Sequence, residues 1–478
     1  MTSPLFSLPA LHLDEAGSTI LSSVPDGLLP LALAQVAQQA GGPVIFVARD
    51  GPRARRVEEA LAFFAPQLPV LNLPPWDCLP YDRVSPSAHV VAKRLSVLAQ
   101  LAAMREGRSA QPLVLLTTVN AAVQKHPPSD VLASQALALA PGQSRPMDSV
   151  LPYLEANGYD RTSTVRESGE YAVRGGIVDL FPPGALSPIR LDFFGDTLES
   201  IRTFSVETQR SEETRRSLEL LPMSEVRLTE ETIRAFRRAY AMAFGAPSRE
   251  DVLYTTVSSG RRVQGMEHWL GFFEKELAPI TDHLPGAPVV LDHLSRAALA
   301  ERLETIADYH QARLDVLERQ GEKAGYKPAP PETLYLDADG FAAALTGRAT
   351  LHISPFAEDA LEGRAQIDVT GRQGRSFAAE RASAERNVFD AVREHGAAKV
   401  AEGKRVVIAC WSEGSRDRMA QVLADHDLSN TRPIAGLDAL TKAPKALVGL
   451  AVLHIEEGFD TDYLADITET EILGERMV

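Results

Sequence analysis

The feature that most limits what this chain can fold into is an alternation of short apolar runs with amphipathic helical ones. LLPLALAQVAQQ has a helical apolar pattern, Gly41-Gly42-Pro43 breaks it, and VIFVA (Val44 to Ala48) follows, bounded by Arg49-Asp50-Gly51. A second amphipathic run through Arg56, Val57, Ala60, Leu61 and Phe64 leads to VLNLP (Val70 to Pro74). Then come the Pro-rich segment WDCLPYDRVSP, the helix-like HVVAKRLSVLAQLAAM and the strand-like LVLLTT (Leu113 to Thr118). Such repetition predicts α/β layering on a parallel sheet. Nucleotide-binding and helicase-type domains have this outline, and so do many inert α/β domains.

A phosphate loop would separate the two. G-x-x-x-x-G-K-[ST] lets backbone N–H groups and a lysine hold phosphates at a helix N-terminus. No stretch of the sequence matches it: Gly403-Lys404 is followed by Arg405 and precedes the strand-like VVIAC, and Gly41-Gly42 has no lysine.

Gly169 to Phe204, GEYAVRGGIVDLFPPGALSPIRLDFFGDTLESIRTF, reads differently, as a small antiparallel unit. Two strand-like runs flank a corner at Pro182, Pro183 and Gly184, and a Gly195-Asp196 turn enters a third run. In the second run Ile189, Leu191 and Phe193 share one face, and Arg190, Asp192 and Phe194 the other, because successive strand residues point to opposite sides. An aromatic ring beside an arginine on a polar face is the composition of a protein-binding patch.

At 478 residues the chain has room for about three domains. Its 45% apolar and 24% charged residues suit packed cores, with no signature of disorder. No run of ~18 apolar residues predicts a membrane span, and an N-terminus carrying Asp14 and Glu15 without a basic, apolar, small-residue leader predicts a cytoplasmic protein. The net charge of −15 opposes strong binding of naked nucleic acid by the chain as a whole. Cys78 and Cys410 are expected to be buried free thiols. From about Ser217 to Leu345 the chain is mainly helical, with one strand at PVVLDH. The α/β pattern then resumes at TLHIS (Thr350 to Ser354) and runs to LADITETEIL, predicting a second, separate α/β domain.

At LPPWDCLPYDRVSPSAHVVAKRLSVLAQL, VLLTTVNAAVQKHPP, GEYAVRGGIVDLFP…IRLDFFGDTLESIRTFSVETQRS and GFDTDYLADITETEILGERMV the chain resembles the N-terminal part of the bacterial transcription-repair-coupling factor family, Mfd. The resemblance covers the whole chain and about the first half of that family's length, so the chain is expected to be a fragment. It implies a degenerate helicase-like, UvrB-homology lobe in two halves, 1–130 and 216–345, and an inserted small α+β domain, 131–215. A separate α/β domain of unassigned role, 346–478, would follow. It further implies that the phosphate loop is lost and that the long damage-probing hairpin of UvrB is lacking, for which Tyr81 to Val90 leaves no room. The inserted domain would dock UvrA, the damage-recognition subunit of nucleotide excision repair, through Arg174, Arg190 and Phe194, with Tyr171 and Arg202 as secondary candidates that read rather as structural or rim contacts. In the family this surface is covered by a distant C-terminal domain until the translocase acts. RNA polymerase, double-stranded DNA, ATP and magnesium would be engaged only by the family's later domains. The chain itself would be a monomer without catalytic residues, cofactor or metal.

Two other classes of function compete with docking. One is an ATP-dependent DNA helicase or translocase, or a UvrB-type excinuclease subunit, suggested by fold analogy. The other is direct DNA binding by Arg234, Arg237 and Arg238. Trp76, Tyr81, His89, His268 and Trp269 read as packing residues. Glu456-Glu457 and the TETE run around Thr470 read as a solvated acidic face, because no metal-binding His or Cys set accompanies them.

Overall fold

In the computed structural model, which describes residues 5–107, 111–133, 137–183, 185–321, 325–358, 365–383 and 385–475, the predicted alternation is present. β1 (Gly17–Ser22) precedes helix Leu29–Ala40, and β2 (Pro43–Ala48) precedes helix Gly51–Phe64. β3 (Val70–Leu73), helix Ala88–Gly107 and β4 (Leu113–Thr118) complete the first part. Local chemistry sets the boundaries. Gly41, at φ 61°, ends the first helix, and the Asp50 carboxylate accepts the Arg53 N–H at 2.7 Å to start the second. β1 was not among the runs read from sequence; its first residues, Gly-Ser-Thr, are too polar to announce a buried strand.

The chain then leaves this layer. β5 (Leu137–Leu139), β6 (Asp160–Arg161), β7 (Glu170–Arg174), β8 (Ile177–Leu180), β9 (Ile189–Phe194), β10 (Thr197–Phe204), β11 (Ser211–Arg215) and β12 (Leu218–Leu220) form an inserted unit. Six of these make one sheet in sequential order from β11 to β6, and β12 pairs antiparallel with β5 to close it. The insertion therefore ends at the β5–β12 clasp, beyond the expected boundary at residue 215.

After a helical stretch the chain returns through β13 (Val289–Leu291), β14 (Ala349–Ile353) and β15 (Ala365–Asp368). These complete a seven-stranded, all-parallel sheet of order β15-β1-β14-β13-β2-β4-β3. TLHIS thus does not open a second domain, as its position suggested. It is β14, seated between β1 and β13, because a strand's sheet is chosen by non-local pairing that its own residues do not encode.

The last module holds β16 (Arg372–Gln373), β17 (Arg405–Cys410), β18 (Thr431–Ile434), β19 (Val448–Val452), β20 (Phe459–Asp460) and β21 (Leu464–Thr468), in the order β16-β20-β21-β17-β19-β18. It is not separate either. Leu28, Leu29, Phe63 and Phe64 of the first layer share one buried cluster with Leu437, Leu453, Ile455 and Phe459. Among the described residues no helix is long and apolar enough to cross a membrane.

Other expectations sort by burial. Cys410 is buried, Cys78 partly so, both are free, and burial pushes each thiol up to about 12. Trp76, Tyr81 and His268 pack together, with ring centroids 5.7 and 6.2 Å from the imidazole. His89 is exposed instead, in the first turn of its helix. Glu456 and Glu457 are solvated as expected, but the TETE run is not. Glu469 is buried and accepts the Trp411 N–H at 3.0 Å, while Glu471 accepts the N–H groups of Thr468 and Gly458, each at 2.9 Å. These carboxylates cap a helix and a loop rather than face water.

A fully buried ion pair ties the two halves of the lobe. Arg94, on helix Ala88–Gly107, donates to both oxygens of Glu225 and to the Pro74 carbonyl, and Trp76 Nε1 also donates to Glu225, at 2.8 Å. Arg94→Ala leaves a bare carboxylate in the core and should cost about 3–5 kcal/mol in denaturant unfolding of the chain, whereas an exposed change such as Arg234→Ala should cost little.

Three histidines are buried as neutral rings. Burial holds His268 and His283 at about 4, against an ordinary 6.5, and His126 well below its ordinary value, where Arg94 adds to the effect. The unfolded chain takes up these protons first as pH falls, so stability present above 6.5 is lost toward 4. Unfolding at pH 5 should be easier than at pH 8 by roughly 2 kcal/mol for each of His268 and His283. His268→Phe, placed between Trp76 and Tyr81, should flatten that slope.

Candidate docking face

The inserted sheet is amphipathic across its width. Burial along β9 alternates strictly, with Ile189, Leu191 and Phe193 buried and Arg190, Asp192 and Phe194 facing the other way. The inner face joins Tyr171, Val178, Leu180, Leu198 and Ile201 in a core against Val150 and Leu154 of helix Met147–Ala156. Two turns fix the register. Gly195, at φ 57°, opens the two-residue link from Phe194 to Thr197. The Gly175-Gly176 link, which divides the first expected strand run into β7 and β8, brings Gly176 so near β9 that a Cβ there would lie 2.6 Å from the Phe193 carbonyl oxygen. Gly184, at the expected Pro/Gly corner, lies outside the described residues.

Register then decides which residues share the outer face. Ala172, Asp179, Arg190, Arg202 and Thr214 form one cross-strand row, and Arg174, Ile177, Asp192 and Ser200 form the next. Phe194 and Thr197 lie beyond them. Arg174, Arg190, Phe194 and Arg202 therefore come together on one side of the sheet. Tyr171 does not. Its place on β7 turns it inward, where it is 1% exposed and its hydroxyl donates to Glu155 Oε1 at 3.1 Å, with burial pushing the phenol up to about 12.

The members differ in how free they are. Phe194 is 76% exposed, a large apolar ring with no cover. Arg174 is exposed, and its Nη2 donates to the Ser163 carbonyl at 2.9 Å and to Thr164 Oγ1 at 3.0 Å. Arg202 is exposed and, among the described residues, has no ionic or hydrogen-bonded side-chain partner. Arg190, expected to offer its fork outward, spends it inward. Nε and Nη2 donate to the two oxygens of Asp179 at 2.7 and 2.9 Å, and Nη1 donates to the Gln209 carbonyl and Ser211 Oγ, both at 3.2 Å. Its guanidinium lies 4.9 Å from the centroid of the Phe204 ring, and the Asp179 hydrogen bond holds its proton still more firmly than usual. Reading the strands singly missed Asp179 and Phe204. The available signal was one acid in the apolar run IVDLF, which needs a partner if buried.

The competing sites are less developed. Arg234, Arg237 and Arg238 are exposed on helix Glu230–Phe244, but Arg237 is bonded to the Ser258 carbonyl at 2.5 Å and Glu230 and Glu231 sit in the same helix's first turn. Lys404 is paired with Asp460, Nζ to Oδ1 at 2.6 Å. Among the described residues no group of three or more His, Cys, Asp or Glu could hold a metal ion. The loop from β1 into helix Leu29–Ala40 is covered by the last module, since a Cβ at Gly27 would lie 2.3 Å from the Glu457 carbonyl oxygen.

Residues 137–226, which span the inserted, mainly antiparallel sheet with its cationic and aromatic outer face, match the family model of the UvrB interaction domain. The match begins at the β5–β12 clasp and ends beside Glu225. Across 93% of its length the chain is similar to the transcription-repair-coupling factor of Escherichia coli strain K12, at 32% identity over 457 residues. It is also similar to those of Myxococcus xanthus, at 31% over 91% of the chain, and Haemophilus influenzae, at 33% over 67%. The chain belongs to the transcription-repair-coupling factor family, to whose UvrB-like N-terminal region its motifs bear the resemblance. The matched region amounts to 37%, 37% and 27% of the lengths of these relatives, respectively.

Gly176→Ala should lower the stability of the inserted sheet by about 1–3 kcal/mol, because β8 and β9 must part to admit the methyl group. Amide hydrogen exchange at β8 and β9, faster in the variant and unchanged in the parallel lobe, would localise the effect.

Proposed function

We propose that this chain is a docking module that recruits UvrA to RNA polymerase stalled at a lesion, within a transcription-repair-coupling factor, and that it binds no ATP itself. The observation that carries the reading is the gathering of Arg174, Phe194 and Arg202 on one exposed face of the inserted sheet. An uncovered aromatic ring on the same face as two guanidinium groups is the composition of a hot spot for a partner offering carboxylates around an apolar pocket. The seven-stranded parallel sheet, assembled from segments on both sides of the insertion, suits a helicase-like lobe. Its lack of nucleotide binding is supported by the missing G-x-x-x-x-G-K-[ST] motif and by the packing of Glu457 against Gly27, where a strand passes into a helix. On this reading the chain is a cytoplasmic monomer without catalytic residues or cofactor. RNA polymerase, double-stranded DNA, ATP and magnesium are then handled by other parts of the family's longer proteins.

Calorimetry with purified UvrA tests the docking. Arg174→Ala, Phe194→Ala and Arg202→Ala should together weaken binding strongly, since truncating one central hot-spot residue costs about 2 kcal/mol or more. Undiminished affinity in the triple variant would overturn the reading. Saturable binding of a fluorescent ATP analogue by the chain would favour the ATP-dependent alternative.

A further inference from the structure

We propose that Asp179 is a positioning residue of the docking face, acting on the partner only through Arg190. The inference rests on the UvrA-docking reading and assigns the work within that face. Asp179 lies in mid-strand on β8, directly opposite Arg190 on β9, and its side chain is 2% exposed. A carboxylate so placed is costly unless a cation pairs with it, and Arg190 does so bidentately. The pair lays the guanidinium against Phe204, which belongs to a small outer-face cluster with Val165 and Ala172. From there Nη1 holds Gln209 and Ser211, the loop and first residue of β11, in place beside β10. The Arg190 side chain keeps only 15% exposure.

This arrangement has a charge consequence for the face. Arg202 stands directly opposite Arg190 in the β9–β10 register, and two unneutralised guanidiniums at that spacing would repel. Asp179 cancels the charge of Arg190, so Arg202 can remain extended and cationic beside it. Arg190 thereby sets the shape of the platform, and Arg174, Phe194 and Arg202 make the outward contacts.

A double-mutant cycle in the full chain, read by UvrA affinity, tests the assignment. Asp179→Asn and Arg190→Ala should each weaken binding about tenfold, the scale of a lost hydrogen bond to a charged group, and the double variant should be no weaker than Arg190→Ala alone. Losses that multiply in the double variant, or an Asp179→Asn affinity equal to the parent's, would overturn the proposal. Arg190→Lys keeps the charge but not the fork and serves if Asp179→Asn fails to fold; it should bind as poorly as Arg190→Ala, and parental affinity would refute the positioning role. The triple variant Arg174→Ala, Phe194→Ala, Arg202→Ala is the control for the underlying reading. If it binds UvrA normally, the docking reading itself fails; if it loses affinity while Asp179→Asn does not, only the positioning role fails.

Discussion

Arg94 and Glu225 have no exposed side-chain surface, and the connectivity of the molecule depends on their meeting. Arg94 belongs to a helix laid down before the chain departs into the insertion, and Glu225 is among the first residues after it returns. Each charge alone would cost several kcal/mol to bury, so a chain that returned in another place would leave two bare ions in apolar surroundings. Trp76, Pro74 and His126 complete the hydrogen bonding around the pair, which leaves few alternatives to this geometry. Arg262 adds a second tie, donating to the carbonyls of Ala156, at the root of the insertion, and Val226. The inserted sheet is thus fixed at its base by buried polar contacts, and Arg174, Phe194 and Arg202 of its outer face stay exposed.

The elements were largely legible because their periods are local properties. VIFVA and LVLLTT became β2 and β4, and the alternation in IRLDFF gave the two faces of β9 correctly. What local pattern could not supply was partnership. TLHIS has the residues of a strand but nothing in it names β1 and β13 as its neighbours. Arg190 was placed on the right face, but alternation says only which way a side chain points, and the β8–β9 register is what shows Asp179 opposite it. Tyr171, one residue along its strand from an outward position, is turned into the core, in keeping with a structural role.

The acidic stretch near the chain's end shows how burial reverses a reading based on composition. Thr468 and Glu471 form a reciprocal cap on the helix Glu469–Leu473, and Glu469 ties the end of β17 to it. Helix N-termini present unpaired N–H groups and a partial positive charge, so carboxylates there serve as internal acceptors. Asp466 goes further. It is fully buried, its proton is held well above the ordinary carboxyl range by desolvation and by Glu471, and a neutral acid tolerates that site where an ion would not.

Packing fills the edge of the parallel sheet where a ligand would otherwise have room. In an open parallel sheet the natural ligand position is the carboxyl edge of the strands, where a loop runs into a helix N-terminus. Here that loop, Ser23 to Leu28, lies under Ile455, Glu457 and Phe459, and Leu28 itself is part of the core that joins the two layers. Arg53 is bound between Asp26 and Asp292 beside the same edge, so a cation that could have met a phosphate is already neutralised by carboxylates. The last module thus occupies the space over this loop. The same packing that closes this edge joins the lobe and the last module through one continuous buried core.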